Sequence, residues 1–169
     1  MKSSLAKVSS ILAATLLISS CGNMTLSGKS DSSTGLPSGY DSVGTSTNET
    51  ASLLEMVKQD FISFGVKESS LDFSKIGVVG VGSLDDNTVG ICISGTKNIV
   101  LNRKKFESGA LDIYDKKGTL AHEIGHCLFN LQHDDSHLAI MNTKRVLLSN
   151  TMYHDLMSDL SKDLIAKGY

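Results

Sequence analysis

Three shortages in this 169-residue chain narrow its function before any motif is read. It has no surplus of basic charge: 16 Lys and Arg stand against 18 Asp and Glu, for a formal charge of −2. No basic patch follows the pattern of a phosphate backbone, so nucleic acid is not an expected partner. It has three cysteines, Cys21, Cys92 and Cys127, and Cys21 belongs to the N-terminal segment, so at most one disulfide is open to the rest. It also lacks a long apolar run. Residues 8–18 are apolar but too few to span a bilayer, and no later segment does better. The only proline is Pro37, no internal repeat is present, and no glutamate follows Glu123.

What is present is concentrated in residues 122–141. On a helix, His122 and His126 are separated by about 40° around the axis and roughly 6 Å along it, so both imidazoles reach one metal ion. Glu123 lies beside that pair, placed to hold a water next to the metal but not to replace either histidine. A catalytic zinc takes three protein ligands and keeps one position open. His133 is the candidate for the third. A continuous helix would carry it about 10 Å beyond His126, too far to share the ion, so the helix must end between them. Asn130 is placed to end it, because asparagine readily adopts the left-handed conformation that closes helices. With no later glutamate, a glutamate as third ligand is excluded. Asp134 and Asp135 remain as weaker alternatives, read first as a solvated turn. A deformylase-like site using Cys92 within residues 90–94 is disfavoured by the export signal described below.

His122, Glu123, His126, His133 and Met141 together resemble the metzincin metallopeptidases, whose extended zinc motif is followed by a methionine turn beneath the metal. Leu138-Ala139-Ile140-Met141 is similar to their apolar approach to that turn. The common motif would put glycine at Phe129 and the third histidine at Gln132; this chain has one extra residue, and the shifted spacing through Asn130 resembles a longer-turn variant in small exported bacterial proteins. The resemblance covers about residues 90–142. It implies one catalytic Zn2+, Glu123 as general base for peptide hydrolysis, and an extended substrate lying antiparallel to an edge strand, here Asn98, Ile99, Val100, Leu101 and Asn102.

The N-terminus carries Lys2 and Lys7, then the apolar run, then Ile18-Ser19-Ser20-Cys21, which resembles a bacterial lipobox. Residues 1–20 are therefore expected to be a lipoprotein signal peptide, with Cys21 lipidated, the protein anchored by lipid in the bacterial cell envelope, and a formal charge of −4 once Lys2 and Lys7 are removed. Residues 21–50 are rich in Ser, Thr and Gly and read as a flexible tether, since they bury too little apolar surface to offset their ordering entropy. Residues 51–169 are expected to form a single domain.

Within that domain, Leu53, Val57, Phe61 and Phe64 recur at helical spacing after a capping box at Ser52 and Glu55, with Gly65 as the stop. Residues 76–81 read as a buried strand. Residues 90–94 and 98–102 read as a hairpin or as a strand with its approach, the metal helix as starting between Asp115 and Lys117 with Leu120, Ile124, Leu128 and Leu131 as its core stripe, and Met152, Leu156, Leu160 and Leu164 as a last helix. The expected fold is α+β: a small metzincin-like domain with a twisted mixed sheet, a metal-binding active-site helix and a C-terminal helix. Gly125 within the metal helix predicts close approach by a neighbouring element. Two readings stand for Cys92 and Cys127: a disulfide closing a loop of about 35 residues and worth up to roughly 4 kcal/mol, or, for Cys127, a small buried apolar residue. His137 and His154 read as surface residues, and Tyr153 is too distant from Met141 to match an oxyanion tyrosine. The expected function is a monomeric zinc endopeptidase acting on peptides or proteins. Its rival is an envelope lipoprotein that binds zinc without catalysis.

Overall fold

The computed structural model describes residues 46–169 and the backbone of Ile18–Ser19. Cys21, the lipobox (apart from Ile18–Ser19) and most of the tether lie outside the described residues.

Helix α1 (Asn48–Ser63) starts four residues before Ser52, because Thr47 and Thr50 form the capping box: the Thr47 hydroxyl accepts from Thr50 N at 3.1 Å, and Thr50 Oγ1 accepts from Thr47 N at 2.9 Å. Glu55, expected in the box, instead accepts from the Gln59 side chain. Leu53, Val57 and Phe61 are buried as their spacing predicts, and Gly65 ends the segment at φ 94°.

Three strands follow: β2 (Val79–Gly82), β3 (Gly90–Ile93) and β4 (Asn98–Asn102), in the spatial order β2-β4-β3. β2 runs parallel to β4 and β3 antiparallel to it, so the sheet is mixed. The strand expected over residues 76–81 begins later, since Phe73–Lys75 forms a 3-10 turn capped by Asp72, and the Val78 N–H goes to the Asn98 side chain at 2.7 Å. The expectation that Asn98, Ile99, Val100, Leu101 and Asn102 form an edge strand is overturned. They form the central strand, with Ile99, Val100 and Leu101 at most 1% exposed and both backbone sides paired. A continuous apolar run marks a strand buried on both faces, and the chain order of a hairpin does not say which arm acquires a third partner. The antiparallel edge is β3.

After β4, Asn102 caps a short helix α2 (Arg103–Glu107) that hydrophobic periodicity does not reveal; its anchor is Phe106. Helix α3 (Ile113–Cys127) also starts before the expected position. The cap is Asp112, whose carboxylate accepts from Tyr114 N and Asp115 N at 2.8 and 2.9 Å. Helix α4 (Asn150–Ala166), capped by Ser149, closes the chain. A two-residue strand β5 (Lys144–Arg145) pairs antiparallel with Ile18–Ser19, here β1.

The main core lies where α1 and α3 meet one face of the sheet and α4 packs on those two helices, and includes Phe61, Ile99, Leu101, Leu120, Ile124, Met157 and Leu164. Leu128 and Leu131, expected on the stripe, are only half-buried because α3 has ended. Ile91, Ile93 and Val100 form a smaller cluster on the other face. At the junction of the three helices, Lys117 Nζ lies 2.6 Å from Asp60 Oδ2, and the Tyr153 hydroxyl donates to the same oxygen at 2.6 Å. Lys117 Nζ also sits 4.6 Å from the centroid of the Tyr153 ring. Burial and the Asp60 carboxylate push the Tyr153 phenol well above its ordinary range. Among the described residues no helix is long and apolar enough to cross a membrane.

Candidate metal centre

α3 presents His122 and His126 one turn apart, and both are buried. The helix stops where the need for a third ligand requires: Asn130 has φ 54°, in the left-handed region, and the following Leu131 N–H donates to the Gly125 carbonyl at 2.9 Å. This reversal brings His133 back to the other two histidines. His126 Nε2 is 3.0 Å from His122 Nε2 and 3.1 Å from His133 Nε2, and all three ligand atoms lie within 4.8 Å of one another. These three histidines are close enough to bind one metal ion.

The backbone decides which nitrogens face inward. His122 Nδ1 donates to Ile140 O at 2.6 Å and His126 Nδ1 to Leu131 O at 2.7 Å. A carbonyl oxygen only accepts, so each Nδ1 carries the proton and each neutral ring turns a bare Nε2 towards the cluster. Burial holds both His126 and His133 below the ordinary histidine range, which favours the neutral ligand form. Two lone pairs 3.0 Å apart repel unless a cation stands between them. A tetrahedral ion with nitrogens at about 2.0–2.1 Å would set them roughly 3.3–3.4 Å apart. The donor set therefore fits a metal ion, and three neutral imidazoles suit zinc among others.

The turn beneath is built as the sequence predicts at Gly125. A Cβ on Gly125 would collide with Met141 Sδ, so the missing side chain admits the buried thioether against α3. The same turn supplies Ile140 O to His122. Asp134 N donates to Met141 O at 3.0 Å, and Asp135 accepts from Thr143 N at 2.7 Å, fastening the His133 loop to the segment after the methionine. Asp134 in turn accepts from Ser136 N. Neither aspartate joins the histidine group.

Glu123 is 1% exposed, and its carboxylate lies against β3, where a Cβ on Gly90 would come within 3.0 Å of Oε1. Cys92 and Cys127 are joined in a disulfide with a Cα separation of 5.6 Å, which excludes Cys92 as a thiolate ligand and ties β3 to the residue after His126. His137 and His154 are exposed, while Tyr153 is buried and engaged with Asp60. Motif reasoning missed Gly90, the carbonyls of Leu131 and Ile140, and the residues that shape the space beside His122. Gly90, the first residue of an otherwise apolar strand, was the one signal available. Set against known protein families, curated proteins and solved structures, the chain matches none.

Proposed function

We propose that this chain is a zinc-dependent endopeptidase. The observation that carries the reading is the convergence of three imidazoles whose Nε2 atoms stand 3.0 and 3.1 Å apart, with Glu123 next to the first of them in the chain. His122, His126 and His133 would hold the ion. When bound, zinc supplies Lewis acidity that polarises a carbonyl and lowers the pKa of water to about 7. His122 and His126 are held in place by their Nδ1 hydrogen bonds to Ile140 O and Leu131 O. Glu123 accepts the proton of the attacking water and passes it to the leaving amine. β3, the antiparallel edge, offers backbone groups to an extended substrate in place of the central β4. The resemblance of His122, Glu123, His126, His133 and Met141 to the metzincin motif supports the same assignment, and the lipobox-like start supports an envelope lipoprotein.

A second reading, zinc binding without catalysis, is favoured by one observation: Glu123 is almost wholly buried, deeper than a base that must meet solvent and substrate needs to be. Glu123→Gln separates the two. On the peptidase reading the zinc-loaded full-length chain cleaves members of an unbiased peptide library, and the variant binds zinc equally but loses at least about a hundredfold in turnover, as expected when a general base is removed. A parent that cleaves nothing while binding zinc stoichiometrically supports the second reading. If His133→Ala binds zinc as tightly as the parent, the ligand set is wrong.

A further inference from the structure

Beside His122, on the flank towards α4, a pocket is lined by Gly118 and Thr119 of α3, Ile140 of the methionine turn, and Val146, Leu148 and Leu156 beyond it. Leu138, 45% exposed, stands at its mouth. The lining is mainly apolar, yet the free interior is only about 20 Å³, against the ~10–15 Å³ that one water requires on the same measure. One residue of this chain accounts for the shallowness. Gly118 has no side chain, and a Cβ there would collide with Leu148 Cδ1, so the Leu148 side chain lies directly on the α3 backbone and occupies the depth of the pocket. It is 7% exposed and held in place from behind, its backbone N–H donating to Asp115 Oδ1 at 2.8 Å.

Resting on the peptidase reading above, we infer that Leu148 limits the substrate: the residue on one side of the cleaved bond, whose side chain enters this pocket beside His122, is alanine, serine or glycine. A methyl or hydroxymethyl group takes about the space of one water. A leucine or phenylalanine there must displace Leu148 against Gly118 or Leu156, and interiors resist the forcing-in of extra methylenes.

The test uses the zinc-loaded full-length chain and two peptide hydroxamates that differ only in an alanine or a leucine next to the metal-binding group, with affinity read by calorimetry so that no turnover is needed. The alanine compound should bind about tenfold tighter or better, and peptide-library cleavage should show the same preference at one of the two positions flanking the cut. In Leu148→Ala the preference should collapse to below about threefold or reverse. Leu148→Val, a smaller truncation less prone to misfolding, should fall between. Equal or tighter binding of the leucine compound by the parent overturns the inference, as does an unchanged preference in both variants or failure of the alanine hydroxamate to bind. Alanine-selective binding without cleavage of any peptide leaves the pocket assignment standing and sinks the peptidase reading instead.

Discussion

The histidine cluster depends on small contacts behind it as much as on the imidazoles. Met141 touches α3 only because residue 125 is glycine, and the peptide unit that places its thioether there also supplies the carbonyl holding His122. Two effects compete in Gly125→Ala. Alanine gains about 1 kcal/mol of helix propensity, while overpacking against a buried side chain costs roughly 1–3 kcal/mol. Overpacking should prevail, because Met141 is 5% exposed and has little room to retreat. The expected result is a net loss of up to about 2 kcal/mol by denaturant unfolding and weaker zinc binding, and a stability loss in Gly125→Ala combined with Met141→Ala that is smaller than the sum of the two single losses. A single variant that is more stable than the parent and binds zinc normally would refute this packing.

At the scale of elements, the end of α3 is the decisive feature, and it was legible in the sequence because one geometric requirement, a third ligand within reach, met one residue able to supply it. Asn130 at φ 54° meets that requirement. Asn130→Gly should retain zinc affinity, since glycine adopts this conformation without steric cost, whereas Asn130→Ala should lose about 1–2 kcal/mol of stability and bind zinc more weakly. Equal zinc affinity in the two variants would show that the reversal does not position His133. Other elements were less legible for physical reasons. The starts of α1 and α3 were misplaced because the turns that Thr47 and Asp112 cap contribute little to the core stripe: the first is polar, and Ile113 in the second is exposed. Of the two readings open for residues 90–102, a hairpin or a strand with its approach, the structure has the hairpin of β3 and β4, and the rank of its arms depends on β2, which runs parallel to β4. The disulfide stayed open until β3 and the end of α3 were seen to lie together.

For the molecule as a whole, α1, α3 and α4 are tied by the Asp60, Lys117 and Tyr153 group, which no local pattern in the sequence announces. Removing only the carboxylate leaves a buried ammonium and a phenol without their acceptor, so Asp60→Ala should cost about 3–5 kcal/mol in unfolding free energy. Replacing both charges, Asp60→Leu with Lys117→Met, should recover much of that loss. A double variant no more stable than Asp60→Ala would show that the pair contributes more than mutual compensation. We propose that the mature chain starts at a lipidated Cys21, on the strength of Ile18-Ser19-Ser20-Cys21 after a basic, apolar start; cleavage there also removes β1, the partner of β5. Acyl chains contribute about 0.8 kcal/mol per buried methylene, and stable anchoring takes more than one of them. Cys21→Ser should therefore leave an unprocessed precursor or release the domain from membranes, with its metal site unchanged because none of the three histidines lies near that end of the chain. Fractionation checks the first outcome and zinc analysis the second. A processed Cys21→Ser protein that still sediments with membranes, or an unmodified residue at the native N-terminus by mass spectrometry, overturns the anchor and leaves the peptidase proposal intact.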